Sequence, residues 1–217
     1  MFARIGSVVV ASDQDNENTV NPNPNKQALT YSITGGNDKG LFAVDAVSGQ
    51  LYVAGAPINF EEQSTYSLQY TVTDDGTASG GRDPENSKDF VNLQTTVSLI
   101  ITILDENEAP VMNNFTGNLA LVVAEESPMG TKFGARLTAV DEDNEVITAD
   151  GIQILTYSIV PGTGNINNKF IIDKHSAQLS TNGILDFEDV QEYTFMVRAQ
   201  DDHNISKYGD GRVTVKI

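Results

Sequence analysis

The amino-acid sequence predicts an all-β protein made of two tandem β-sandwiches. One set of short motifs occurs twice in the 217 residues, at offsets of 126 to 128 positions. Within each copy, apolar and polar residues alternate with a period of two, which is typical of strands that have one buried and one solvated face. Clusters of Gly, Asn, Asp and Pro separate these runs, as expected for the turns of a β-sandwich.

The duplication extends over almost the whole chain. The paired segments are LTYSI at 29–33 and 155–159, FAVDAVSGQL at 42–51 and FIIDKHSAQL at 170–179, INFE at 58–61 and LDFE at 185–188, and YSLQYTVTDD at 66–75 and YTFMVRAQDD at 193–202. Because the pairs keep one order and nearly one offset, we interpret the chain as two modules, 1–104 and 111–217, joined by the linker 105–110.

The longest alternating runs lie near the end of each copy. We expect their apolar residues to point into the core: Leu68, Tyr70, Val72, Val97, Leu99, Ile101 and Ile103 in the first copy, and Phe195, Val197, Ala199, Val213, Val215 and Ile217 in the second. The polar, Gly-containing stretch 77–88 of the first copy has no counterpart in the second, so we predict a loop insertion there. Neither copy contains an amphipathic stretch long enough for a substantial helix.

The composition excludes several classes of function. Thirty acidic residues against 13 basic ones give a formal net charge of −17, and so acidic a protein repels nucleic-acid phosphates. Cysteine is absent, which excludes disulfides, thiolate metal sites and cysteine catalysis. The two histidines, His175 and His203, accompany neither a nucleophile-elbow motif nor a zinc-binding motif, so we predict no enzymatic activity.

The acidic residues gather at the ends of predicted strands, in clusters that recur in both copies. Carboxylates gathered at one end of a domain repel each other unless a cation binds among them. Calcium fits best, because it takes about six to eight oxygen ligands with tolerant geometry. An EF-hand loop is excluded, since one starting at Asp141 would place Val146 and Ile152 where Gly and Glu are required. The alternative is that these residues are solvated turn residues without an ion.

An ordered set of motifs identifies a family. The sequence contains ASDQD and AVDED, YSI twice, FAVDAVSGQL and FIIDKHSAQL, INFE and LDFE, YTVTDD and VRAQDD, and the linker DENEAP. This set resembles two extracellular repeats of cadherins. The resemblance implies that each repeat is a seven-strand Greek-key sandwich of immunoglobulin-like architecture. It also implies that the first repeat lacks most of its strand A, that the second is truncated at its C-terminus, and that the chain is a segment of a longer array.

The resemblance implies calcium ions between successive repeats, which stiffen a string of domains into a rod. The residues that it places around calcium at the junction are Glu61, Asp105, the backbone carbonyl of Glu106, Asn107, Glu108, Asp141, Asp143 and Asp201, with Asn59 standing where the family usually has Asp. Those that it places toward a following repeat are Glu125, Asp186 and Glu188. It positions Glu61 and Asp143 each between two ions.

The linker departs from the family pattern. DENEAP is one residue shorter than the family's D-x-N-D-N-x-P and lacks the second Asn, whose carbonyl usually completes a calcium site. We therefore expect fewer tightly bound ions than the family usually has, or one that is distinctly weaker.

The function that the resemblance implies is extracellular, calcium-dependent adhesion at the cell surface. The partner would be another copy of this protein or a related cadherin-type protein, through homophilic or heterophilic contacts, and a membrane anchor would lie outside this segment. The alternative is a rigid calcium-dependent spacer in a large surface or secreted protein, including a bacterial one. Strand exchange in the family uses an N-terminal strand with an anchoring Trp, and this chain contains no Trp.

Overall fold

The computed structural model describes residues 3–13, 28–55, 57–75, 93–113, 118–144 and 152–217. The predicted loop insertion at 77–88 lies outside the described residues. The chain divides into two compact units, Met1–Asp105 and Glu106–Ile217. Both units consist almost entirely of β-strands, so the all-β prediction is confirmed. Among the described residues, no helix has the length and apolar character needed to cross a membrane.

Unit 1 contains two antiparallel sheets. Its strands are β1 (Arg4–Ile5), β2 (Leu29–Gly35), β3 (Phe42–Val44), β4 (Leu51–Val53), β5 (Thr65–Asp74) and β6 (Gln94–Thr102). One sheet has the order β1-β4-β3 and the other the order β2-β5-β6. In the second sheet, β5 and β6 keep one register from Thr65 to Thr73, with Leu68 of β5 opposite Leu99 of β6.

The core of unit 1 lies where the alternating side chains of β5 meet the other sheet. Leu68 and Tyr70 are fully buried, and the ring of Tyr66 meets that of Phe42 edge-on at 5.1 Å. Val97 of β6, which the alternation predicts to point inward, is 43% exposed. Val97 and Tyr70 line an open cavity of about 420 Å³. The alternation therefore gives the face of the strand correctly but not the depth of burial.

Unit 2 repeats the architecture with a larger main sheet. Its strands are β7 (Val111–Met112), β8 (Leu119–Val122), β9 (Ala139–Val140), β10 (Thr156–Ile159), β11 (Phe170–Ile172), β12 (Leu179–Thr181), β13 (Glu192–Gln200) and β14 (Tyr208–Lys216), and its 3-10 helices span Glu142–Asn144 and Ile166–Asn168. The main sheet has the order β10-β13-β14-β8, in which β8 runs parallel to β14. The pairs β11-β12 and β7-β9 are antiparallel.

The alternation in β13 explains the core of unit 2. Phe195, Val197 and Ala199 are completely buried, as predicted from their spacing. Phe170 of β11 stacks on Phe195 with ring centroids 5.6 Å apart. Burying a side chain the size of Phe195 or Val197 contributes about 1.5 to 3 kcal/mol, so β13 stabilises the unit and its C-terminal end has a fixed place in the sandwich. The residue that follows the end of β13 is Asp201.

Candidate metal centre

Three aspartates of unit 2 are buried at strand ends; we call Asp141, Asp143 and Asp201 the aspartate cluster. Asp141 follows β9 directly, Asp143 lies in the first 3-10 helix, and Asp201 follows β13. Their exposed fractions are 3%, 5% and 3%. Burying several carboxylates together is unfavourable unless donors or a cation compensate the charge. The fold therefore buries three carboxylates whose negative charge must be balanced by hydrogen-bond donors or by a cation.

Backbone amides provide part of that compensation. The amide of Asp143 donates to Oδ1 of Asp141 at 3.3 Å, and the amide of Glu108 donates to Oδ2 of Asp143 at 3.0 Å. Asp201 accepts from the amide of His203 at 3.0 Å and from the amide of Lys207 at 2.9 Å. These bonds hold the carboxylates in place but leave other lone pairs of the cluster for further ligands.

Oδ2 of Asp141 and Oε1 of Gln153 are buried and lack a hydrogen-bond partner among the described residues. Burial and the neighbouring Asp143 raise the pKa of Asp141 to about 6, because both disfavour its ionised form. A coordinated cation would supply the missing interaction and favour the ionised carboxylate. The atoms available to bind a metal ion are all oxygens, which calcium prefers, so the residues present fit a calcium ion.

The linker supplies a further carboxylate to unit 2. Oxygen atoms of Glu108 and Asp143 lie within 4.8 Å of each other, close enough for both to bind one ion. Glu106, which the resemblance assigns a backbone ligand, is exposed. Among the described residues, Glu108 thus lies next to Asp143 of the aspartate cluster.

Unit 1 has its own pair of acids at the same linker. Oxygen atoms of Glu61 and Asp105 lie within 4.8 Å of each other. Asn59 organises the turn that carries Glu61, because its Oδ1 accepts from the amides of Glu61 at 2.7 Å and Glu62 at 3.3 Å. Asn59 therefore positions a candidate ligand.

The second predicted set also comes together, at exposed positions of unit 2. Oxygen atoms of Glu125, Asp186 and Glu188 lie within 4.8 Å of one another. Oδ1 of Asp186 accepts from the amide of Glu188 at 3.0 Å, and Glu125 accepts from the amide of Phe187 at 3.4 Å. These bonds fix the turn that carries the set.

Asn107 connects the linker to Asp201 of the aspartate cluster and also has partners that the sequence did not single out. Its side-chain nitrogen donates to Oδ2 of Asp201 at 3.2 Å and to the carbonyl of Ile205 at 3.0 Å. Its side-chain oxygen accepts from Gln153 at 2.8 Å, and its backbone carbonyl accepts from Nζ of Lys207. Gln153 and Lys207 belong to none of the recurring motifs, so only the folded chain reveals their role.

Comparison with known proteins identifies the repeats. The family model described as Cadherin domain matches residues 5–104 and again residues 120–217. Protein dachsous of Drosophila melanogaster is 34% identical over 196 residues, which cover 89% of this chain and 5% of that protein. Cadherin-23 of Mus musculus is 34% identical over 177 residues, covering 80% of this chain and 5% of that protein. The chain thus spans a small fraction of the length of these relatives.

Solved structures agree on the fold. Human CDH23 EC21-23 superposes with a TM-score of 0.58 at 21% identity, covering 97% of this chain and 66% of that one. Mouse Cadherin-23 EC22-24 gives a TM-score of 0.53 at 22% identity, covering 87% of this chain and 52% of that one. At these identities the likeness shows that the sandwiches share one fold, which confirms the predicted fold class.

Proposed function

Because the chain belongs to the cadherin family, we propose that it works as a calcium-dependent adhesion module at the cell surface. Its homologues are extracellular parts of cell-surface adhesion proteins and not enzymes. The module would bind another copy of this protein or a related cadherin-type protein, and its calcium ions would fix the junction between its two repeats.

The observation that carries the calcium proposal is the aspartate cluster. Three carboxylates are buried together in unit 2, and Oδ2 of Asp141 has no hydrogen-bond partner among the described residues. An anionic site of this kind is stable when a divalent cation balances it. The residues proposed to hold the junction ions are Glu61, Asp105, Glu106 through its carbonyl, Asn107, Glu108, Asp141, Asp143 and Asp201.

The proximity of Glu125, Asp186 and Glu188 supports a second role for unit 2. We propose that this exposed set provides one side of a further calcium site toward a following repeat. Because the set is exposed and has ligands from one repeat only, its calcium affinity on this chain alone would be weak.

Thermal unfolding with and without calcium tests the proposal. A ligand that binds only the folded protein stabilises it by about 2.7 kcal/mol at a hundredfold excess over its Kd. At about 4 to 8 °C per kcal/mol for a domain of this size, the melting temperature should fall by roughly 10 °C or more in chelator.

Magnesium is the matched control for that experiment. It demands near-ideal octahedral geometry and gives up its water reluctantly, so it should restore little of the lost stability. An identical melting curve in calcium and in excess chelator would contradict the proposed calcium site.

A further inference from the structure

Near Asp201 the structure presents nitrogen groups where a calcium ion would need oxygen ligands. The Asn107 amide turns its nitrogen toward Oδ2 of Asp201, and the Asn107 carbonyl is bonded to the ammonium group of Lys207. We propose that Lys207 is a built-in cation that takes the place of one calcium ion beside Asp201. This inference rests on the proposed calcium-binding function. It concerns the one ion position next to Asp201, where the Lys207 side chain would supply the positive charge.

The turn that carries Lys207 is tied to Asp201. The amide of Lys207 donates to Oδ2 of Asp201 at 2.9 Å, and the amide of Asp201 donates to the carbonyl of Lys207 at 3.2 Å. The hydroxyl of Ser206 donates to the carbonyl of Asp201 at 2.8 Å. The backbone of Lys207 is thereby fixed next to the carboxylate, and β14 begins at the following residue.

The charge of Lys207 suits this position. Its ammonium group is a compact point charge with three donors, and one of them is used on the Asn107 carbonyl. Asp201 is 3% exposed and forms no ion pair among the described residues, so the positive charge of Lys207 acts on this buried carboxylate from the adjacent turn without direct contact. A calcium ion at the same carbonyl would meet both a competitor for the oxygen and the repulsion of a fixed positive charge.

The short linker also removes an oxygen ligand from the position next to Asp201. DENEAP lacks the second Asn whose carbonyl the resemblance leads us to expect as a ligand. The described contacts of Asn107 are with Asp201, Gln153, Lys207 and the carbonyl of Ile205. A missing oxygen ligand and an added ammonium group both act against an ion at this one position.

Calorimetric titration of the whole chain with calcium tests the inference. The variant Lys207→Met removes the ammonium group and keeps much of the side-chain length. We expect it to bind one calcium equivalent more than the unaltered chain. Lys216→Met is the control, because Lys216 is exposed and lies at the far end of β14, yet its loss changes the net charge equally. It should leave the number of calcium ions unchanged.

A melting experiment in chelator provides the second readout. Without calcium, Lys207→Met should lower the melting temperature more than Lys216→Met, because Asp201 loses its compensating charge. In calcium the difference should shrink, since the additional ion replaces the ammonium group. If Lys207→Met fails to fold, Lys207→Gln removes the charge but retains a donor for the Asn107 carbonyl. It should then show a gain in calcium affinity at this position that Lys216→Met does not show.

The outcomes separate the two proposals. Calcium binding by all proteins with equal stoichiometry and affinity would overturn the role of Lys207 and leave the proposed function intact. Absence of calcium binding by all of them would overturn the proposed function and, with it, the idea that an ammonium group replaces an ion.

Discussion

Asn59 and Asp186 occupy equivalent positions in the two repeats and accept equivalent hydrogen bonds. Asn59 accepts from the amide of Glu61 at 2.7 Å, and Asp186 accepts from the amide of Glu188 at 3.0 Å. The turn needs only an acceptor oxygen, which an amide and a carboxylate both provide. A calcium site also needs negative charge. Both repeats therefore keep the same turn, but Asp186 offers a negative charge to an ion and Asn59 does not.

The sequence could predict the acidic residues of the site but not their neutral and basic neighbours. Asp141, Asp143 and Asp201 recur in motifs with recognisable spacing. Gln153 and Lys207 meet Asn107 across 46 and 100 residues of chain, so their role depends on the fold. Neither a lone glutamine nor a lone lysine carries a local signal of such a contact.

Single neutral substitutions at two acids should weaken calcium binding most. The resemblance places Glu61 and Asp143 each between two ions, so Glu61→Gln and Asp143→Asn remove a charge shared by both while keeping the side-chain size. We expect each to lower calcium affinity at least about tenfold, equal to about 1.4 kcal/mol, in a calorimetric titration.

Asp38→Asn is the matched control for these variants, because Asp38 is exposed and belongs to neither predicted set. It should change the affinity little. Equal losses at all three positions would indicate a diffuse effect of surface charge rather than a defined site.

The connection from β2 to β3 in unit 1 and the connection from β10 to β11 in unit 2 are built in the same way. Asn165 donates to the carbonyl of Phe170 at 2.8 Å and accepts from its amide at 3.0 Å. Asn37 makes the same pair of bonds with Phe42, at 2.8 and 3.1 Å. From the sequence alone an asparagine in such a loop is only a turn residue. The specific partner five residues later becomes visible with the fold.

A glycine in the same connection should tolerate no side chain. Gly164 has φ +122°, and a Cβ there would lie 1.9 Å from the carbonyl oxygen of Thr194. Gly164→Ala must therefore displace the backbone of β13 and should cost about 3 kcal/mol or more of the free energy of unfolding. Urea denaturation of the whole chain in calcium, followed by circular dichroism, measures the loss.

Gly162→Ala separates the steric clash from backbone strain. Gly162 also has positive φ, at +76°, but a Cβ there would meet nothing within 4 Å. Its substitution should cost only about 1 to 2 kcal/mol, the usual strain of a left-handed residue with a side chain. If both variants lose the same free energy, the close approach to Thr194 does not limit the position.

At the scale of the whole molecule, charge is the dominant property. Thirty acidic and 13 basic residues give a net charge of −17. Two copies of so acidic a chain repel each other in solution. Bound calcium would lower that charge by two units per ion, so the same ions that are proposed to order the junction would also favour contact between copies. The sequence predicts this electrostatic background, because it depends on composition. It cannot predict a surface for contact between copies, because such a surface would be assembled from residues far apart in the chain.

Adhesion and spacing make different predictions for the mass of the protein in solution. If the chain adheres to copies of itself, sedimentation at high protein concentration should reveal a dimer in calcium and a monomer in chelator. The Asp143→Asn variant should then need more calcium to dimerise, because the same ions control both events. Dimers that persist unchanged in chelator would contradict calcium-dependent adhesion.

A strict monomer in both conditions would exclude homophilic contact by this segment, and would favour a spacer or a different cadherin as the partner. Since repulsion between acidic copies already opposes association, a dimer that appears only with calcium would have to derive its stability from the ions and the surfaces they allow to meet.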